Sequence, residues 1–173
     1  HPRRRQQLPR RACVYTRPGP QLTREVRIDG FIIEHGYADG AGNLGRGGGI
    51  HVGGANFEEA SPTISSCTIR DNFADRGGGI GVVGTGSIAG RLSEPLTREC
   101  TVHRNEASQR GGGLYAHDPA ARPVLVTSHV YDNDGGSNGG GFATETGTVV
   151  ISNCRLDGNT ASNGGALAFE GVP

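Results

Sequence analysis

The run Pro62-Thr63-Ile64-Ser65-Ser66-Cys67-Thr68-Ile69-Arg70-Asp71-Asn72, followed by Phe73-Ala74-Asp75-Arg76 and then Gly77-Gly78-Gly79-Ile80, decides the fold. It carries two linked signals. One is an apolar residue, two polar residues and Asn; the other is a glycine triad closed by an apolar residue. The first recurs at Val102-His103-Arg104-Asn105, Val130-Tyr131-Asp132-Asn133 and Leu156-Asp157-Gly158-Asn159, with Ile33-Glu34-His35-Gly36 as a variant. The second recurs at Gly47-Gly48-Gly49-Ile50, Gly111-Gly112-Gly113-Leu114, Gly139-Gly140-Gly141-Phe142 and Gly164-Gly165-Ala166-Leu167. Triads start 30, 34, 28 and 25 residues apart, and each Asn precedes its triad by five or six. Two motifs holding register over several copies mark a repeat architecture.

Each copy holds short alternating segments. Cys67 and Ile69 point one way and Thr68 and Arg70 the other; Ile50-His51-Val52, Leu114-Tyr115-Ala116 and Phe142-Ala143-Thr144 alternate again. Period two with Thr, Val and Ile means strand. A coil of two or three short strands cannot bury its inner side chains alone, so the copies are expected to stack. The expected fold is all-β, a parallel β-helix of about five coils. Stacking predicts columns of like residues: Ile33, Ile69, Val102, Val130 and Leu156 in one, and Ile50, Ile80, Leu114, Phe142 and Leu167 in another. Asn72, Asn105, Asn133 and Asn159 are expected to form an amide ladder. The glycines suit tight bends with positive φ or close backbone approach.

Composition is consistent with this. Glycine supplies 31 of 173 residues, far above the usual share of about 7 %, and only a repeat gives such a chain a fold. All 17 basic residues are Arg, and they balance 17 acids. Arg3, Arg4, Arg5, Arg10, Arg11, Arg17 and Arg24 all precede the first acid, Glu25; beyond it 17 acids face 10 Arg. That body repels phosphate backbones, so no nucleic-acid partner is expected. No apolar run is long enough for a transmembrane helix. Residues 1–24 form a basic segment, read as a solvated tail or a partial first coil, ahead of a solenoid over 25–173. No h-region follows the arginines, and the chain has no Met, so it is expected to be processed or part of a longer solenoid, with exposed ends able to associate.

The paired motifs resemble the GGA[ILV] and FxxN repeats of the chlamydial polymorphic outer membrane proteins. They also resemble the wider set of bacterial secreted proteins with right-handed parallel β-helix repeats, an architecture shared by the pectate-lyase-like superfamily. Here GGG stands for GGA in four of five copies, and the apolar residue before Asn is never Phe. The resemblance spans about residues 25–170. It implies right-handed coiling and a secreted or cell-surface location, with adhesion, carbohydrate contact or structural display as the function and a polysaccharide or a host or cell-surface ligand as partner. No lyase catalytic motif matches.

Cys67, Cys100 and Cys154 share one repeat position with Ser128 and Phe31, an interior column. Buried free thiols are expected there, with a Cys67–Cys100 bridge as the alternative. No CxxC or Cys/His spacing points to a metal. Asp132-Asn133-Asp134-Gly135 opens like a calcium loop but lacks its closing Glu, so Asp132 and Asp134 are weak calcium candidates beside ordinary Asx-turn chemistry. No cofactor is otherwise expected. One outward row brings Glu34, Arg70, His103, Tyr131 and Asp157 together as binding candidates; the next position adds His35, Asp71, Arg104 and Asp132. A polysaccharide lyase needs a cation against a uronate carboxylate and a base for the α-proton, roles open to Arg70, Asp71, His103, Arg104 and Asp132. The alternative is a charged turn whose opposite signs pair along the stack. A cleft longer than one rung favours catalysis; a flat, ion-paired face favours binding or structure.

Overall fold

The computed structural model describes residues 14–16, 22–53, 60–84 and 92–171. The Arg-rich head ahead of residue 14 lies outside them. The first turn of the chain runs through β1 (Val14–Thr16), β2 (Arg27–Asp29), β3 (Ile32–Glu34) and β4 (Tyr37–Ala38). The second holds β5 (Ile50–Gly53), β6 (Thr63–Ser65), β7 (Thr68–Arg70) and β8 (Phe73–Arg76), and the third β9 (Ile80–Val83), β10 (Leu96–Arg98), β11 (Thr101–His103) and β12 (Glu106–Arg110). Then come β13 (Leu114–His117), β14 (Val124–Val126) and β15 (His129–Tyr131); β16 (Phe142–Glu145), β17 (Val150–Ser152) and β18 (Arg155–Asp157); and β19 (Leu167–Glu170).

Every pairing is parallel and joins equivalent strands of successive turns. The sheets are β1-β5-β9-β13-β16-β19, β2-β6-β10-β14-β17, β3-β7-β11-β15-β18 and β4-β8-β12. The four-strand turn is complete three times. Afterwards the fourth side is held by single bridges at Asp134, to Glu106 and to Thr160. Residues 134–138 are Asp, Gly, Gly, Ser and Asn, and residues 160–163 Thr, Ala, Ser and Asn; both stretches are short and mostly of residues depleted in strands.

The expected columns are observed. Ile33, Ile69, Val102, Val130 and Leu156 are direct register partners, as are Ile50, Ile80, Leu114, Phe142 and Leu167. The middle members are fully buried, each contributing about 1.5–3 kcal/mol of hydrophobic stabilisation. Ile64 and Leu125, with the small buried Ala74 and Ala107, fill the remaining inner sides. Cys67 and Cys100 are buried and Cys154 half-buried, all as free thiols; the Cys67–Cys100 bridge is not formed. Their Sγ atoms donate to backbone carbonyls, Cys67 to Ser65 at 3.1 Å and Cys100 to Arg98 at 3.2 Å. Burial pushes the Cys100 thiol up to about 12. Phe31 departs from the expected interior column: it is 60 % exposed, because β2 and β3 end their sheets and no described strand packs beneath it.

The Asn ladder sits at one corner. The side-chain Nδ2 of Asn72 donates to Asn105 Oδ1, that of Asn105 to Asn133, and that of Asn133 to Asn159, each at 2.9 Å. The same oxygens accept the backbone N–H of the preceding Asn at 3.0–3.2 Å. Each Nδ2 also reaches back to a carbonyl of the turn before, such as Ile69 from Asn105 at 2.9 Å. Gly36, the variant copy, contributes only its backbone N–H, to Asn72 Oδ1 at 2.8 Å.

Candidate functional site

Two groups of polar side chains are built by this stacking. The first is the outward row of the β3-β7-β11-β15-β18 sheet and the corner after it. Glu34, Arg70, His103, Tyr131 and Asp157 are in register on adjacent strands, as expected. The corner residues His35, Asp71, Arg104, Asp132 and Gly158 all have positive φ, between 51° and 63°. That left-handed corner aims their side chains away from the core and turns the chain toward the Asn ladder.

Charges along this face are mutually paired. Arg70 Nη2 lies 2.7 Å from Glu34 Oε2. Arg104 grips Asp71 with two parallel bonds, Nε to Oδ1 at 2.8 Å and Nη2 to Oδ2 at 2.9 Å. His129 Nε2 donates to Asp157 Oδ1 at 2.5 Å, and Arg155 adds a contact at 3.2 Å. Asp71 and Asp157 are therefore held below the ordinary carboxylate range, Asp71 by the Arg104 hydrogen bond and Asp157 by that of His129. The His103 ring lies flat on Tyr131, centroids 4.7 Å apart and 4° from parallel, and His129 covers Tyr131 at 4.3 Å. His103 is buried, and burial lowers its pKa. Asp132 forms no ion pair among the described residues. Of the calcium candidates, Asp134 Oδ1 accepts the Gly136 N–H at 3.0 Å, an Asx turn. No group of three or more His, Cys, Asp or Glu among the described residues is placed to hold a metal ion.

The second group was not anticipated from the sequence. The residue before each glycine triad forms its own column: Arg46, Arg76, Arg110, Asn138, Asn163. The first glycine of each triad, with φ between 59° and 68°, bends the chain against the outer side of the strand that follows. Outward-pointing His51 and Tyr115 are consequently 2 % and 0 % exposed. The signal was visible as Arg-Gly-Gly-Gly in three copies, but only the bend reveals that this column covers a sheet face.

Over that face Tyr115 donates its hydroxyl to Glu145 Oε2 at 2.6 Å. Arg110 bridges Glu145 at 2.7 Å and Glu170 at 3.2 Å. The Arg46 and Arg76 guanidinium carbons lie 6.0 and 5.9 Å from the Tyr115 ring centre, within cation–π range. Burial, with the Glu145 bond, pushes the Tyr115 phenol up to about 12, and the Tyr115 bond foremost holds Glu145 below its usual range.

The family model described as a right-handed beta helix region matches residues 48–169. No curated protein and no solved structure matches the chain significantly.

Proposed function

This chain belongs to the right-handed β-helix family, and on that premise we propose that it is a non-catalytic contact scaffold, displayed outside the cell, whose aligned row meets carbohydrate. One observation carries the proposal. Glu34, Arg70, His103, Tyr131 and Asp157 form a row in register on adjacent strands, and its charges are already countered by neighbours. Such a row offers fixed donors and acceptors at a spacing of about 4.8 Å. Asp71 and Asp157 are poor bases there, because hydrogen-bonded partners hold them below the usual carboxylate range, whereas proton abstraction needs a group poised near the working pH. The likeness of the repeats to chlamydial surface proteins and to secreted β-helix proteins supports the location, and the architecture shared with the pectate-lyase-like superfamily supports a saccharide partner.

The test pairs a binding measurement with a cleavage assay. The chain is passed over immobilised neutral and acidic polysaccharides and incubated with uronic-acid polymers while unsaturated-product absorbance is followed. Retention without new absorbance is expected. Absorbance that grows with time and is lost in Arg70→Ala or Arg104→Ala overturns the proposal in favour of a lyase. Absence of retention on every polysaccharide removes the carbohydrate partner.

A further inference from the structure

The Arg46–Arg76–Arg110 column poses a charge problem that the fold leaves half solved. The three residues stand on successive rungs, so the backbones of Arg46 and Arg76, and of Arg76 and Arg110, lie about 5 Å apart. Arg110 alone among them is matched by carboxylates, through Glu145 and Glu170. Arg46 is 8 % exposed, and its hydrogen-bond partner is a neutral amide, Asn43 Oδ1, at 2.6 Å. Its Nε is buried with no acceptor, and so is Nδ1 of His117, 3.6 Å from Glu145. Arg76 donates through Nε to Gln109 Oε1 at 3.1 Å and keeps the rest of its guanidinium at the surface. Neither Arg46 nor Arg76 forms an ion pair with a described carboxylate.

Burying a guanidinium without a counter-charge is costly, and a second like charge one rung away adds to the cost. The Tyr115 ring face offsets part of this for both arginines. The residual charge of the group, three guanidinium groups against Glu145 and Glu170, is one positive unit. Arginine forks bind planar and tetrahedral oxyanions through paired, charge-assisted hydrogen bonds.

We propose that Arg46 and Arg76, seated over Tyr115, bind one singly charged oxyanion group of a ligand, a sulfate ester or a carboxylate. The site uses none of the residues in the contact row proposed above and stands or falls separately from it. Arg76, the outer of the two, makes the first contact, and Arg46 supplies the buried charge behind it. Tyr115 fixes both, and Gly81, its register partner on β9, leaves room for the backbone of Arg46 and Gly47: a methyl group there would come 2.6 Å from the Gly47 amide nitrogen.

Isothermal titration of the full chain with sodium methyl sulfate, and separately with sodium acetate, tests this at ionic strength held constant with chloride. Saturable binding of at least one of the two is expected, and the thermal midpoint should rise with it. Which anion binds distinguishes a sulfate-ester ligand from a carboxylate one. Arg76→Gln should weaken that binding by about tenfold, the loss of one charge-assisted pair. Arg98→Gln, on a different sheet, should leave it unchanged. Arg46→Gln should abolish it, and if that variant fails to fold, Arg76→Gln decides alone. Neither anion acting beyond chloride, or Arg76→Gln binding like the parent chain, overturns the assignment whether or not the chain is retained on polysaccharides.

Discussion

At Asn105 one carboxamide closes most of a corner's hydrogen-bond account. Its oxygen accepts two bonds from Asn72, and its nitrogen faces the oxygens of Asn133, Ile69 and His103. Removing it orphans buried donors and acceptors on three rungs, each costing about 1–3 kcal/mol. Asn105→Ala should therefore lower the unfolding free energy by about 4 kcal/mol in urea titrations. Asn159→Ala, at the half-buried end of the ladder, should lower it by roughly half as much. A second residue-scale effect has the opposite sign. Thr127 is exposed, makes no side-chain hydrogen bond among the described residues, and sits at φ 47°, where a β-branched residue is strained by about 1–2 kcal/mol. Thr127→Gly should raise stability by about 1 kcal/mol after its extra unfolded-state entropy is deducted, seen as a thermal midpoint a few degrees higher.

Among the elements, the glycine triad and the Asn motif prove to be two halves of one contact. A methyl group on the third glycine would meet the ladder: on Gly79 it would come 3.1 Å from Asn105 Nδ2 and 2.6 Å from the Gly113 carbonyl oxygen, and on Gly49 2.9 Å from Asn72 Nδ2. Close approach of strand and ladder is why the motifs travel together. Gly79→Ala should cost about 2 kcal/mol through overpacking, measured by the same urea titration. The columns were legible in the sequence because stacking turns a linear period into vertical neighbours: matching Ile69 to Val102 and Asn72 to Asn105 needs only counting. Two features were not legible. One corner column is built from Gly30, Ser66, Glu99, Thr127 and Asn153, all with positive φ; only Gly30 and Asn153 hinted at it, since packing on the stack overrides the local preference of the other three. The other is the Arg46–Arg76–Arg110 column, whose role depends on a backbone bend that carries His51 and Tyr115 out of solvent. Among the candidate site residues, the row from Glu34 to Asp157 was legible by register alone. Pairing of opposite signs along the stack was legible too; the choice of partner was not, since Arg104 takes Asp71 although Asp132 stands on the other neighbouring rung.

For the whole molecule, stability should form a plateau in pH with a loss on either side. Burial lowers the pKa values of His51, His103 and His117 below the ordinary 6.5. The unfolded chain then takes up protons first as pH falls through that value, so stability drops below about pH 7. Glu145, Asp71 and Asp157 are held below the usual carboxylate range by hydrogen bonds. Their contribution is complete above the unfolded carboxylate pKa and is lost as pH falls further through their folded values. On the alkaline side, Cys100 and Tyr115 are raised to about 12 from 9.0 and 10.0. Their contribution is complete below the unfolded values and fades as pH climbs toward the folded ones. Urea midpoints across the pH range should be highest between about 7 and 9; a midpoint that keeps rising below pH 6 would contradict the burial of these histidines. The central claim, however, is that equivalent residues of successive turns stand directly above one another. Side-chain amide NMR on the uniformly labelled chain tests it most directly. The account predicts nuclear Overhauser contacts from Asn72 to Asn105, Asn105 to Asn133 and Asn133 to Asn159, with Nδ2 protons exchanging as slowly as the buried strand amides. Asparagine amides that exchange freely and show no contacts to one another would contradict it.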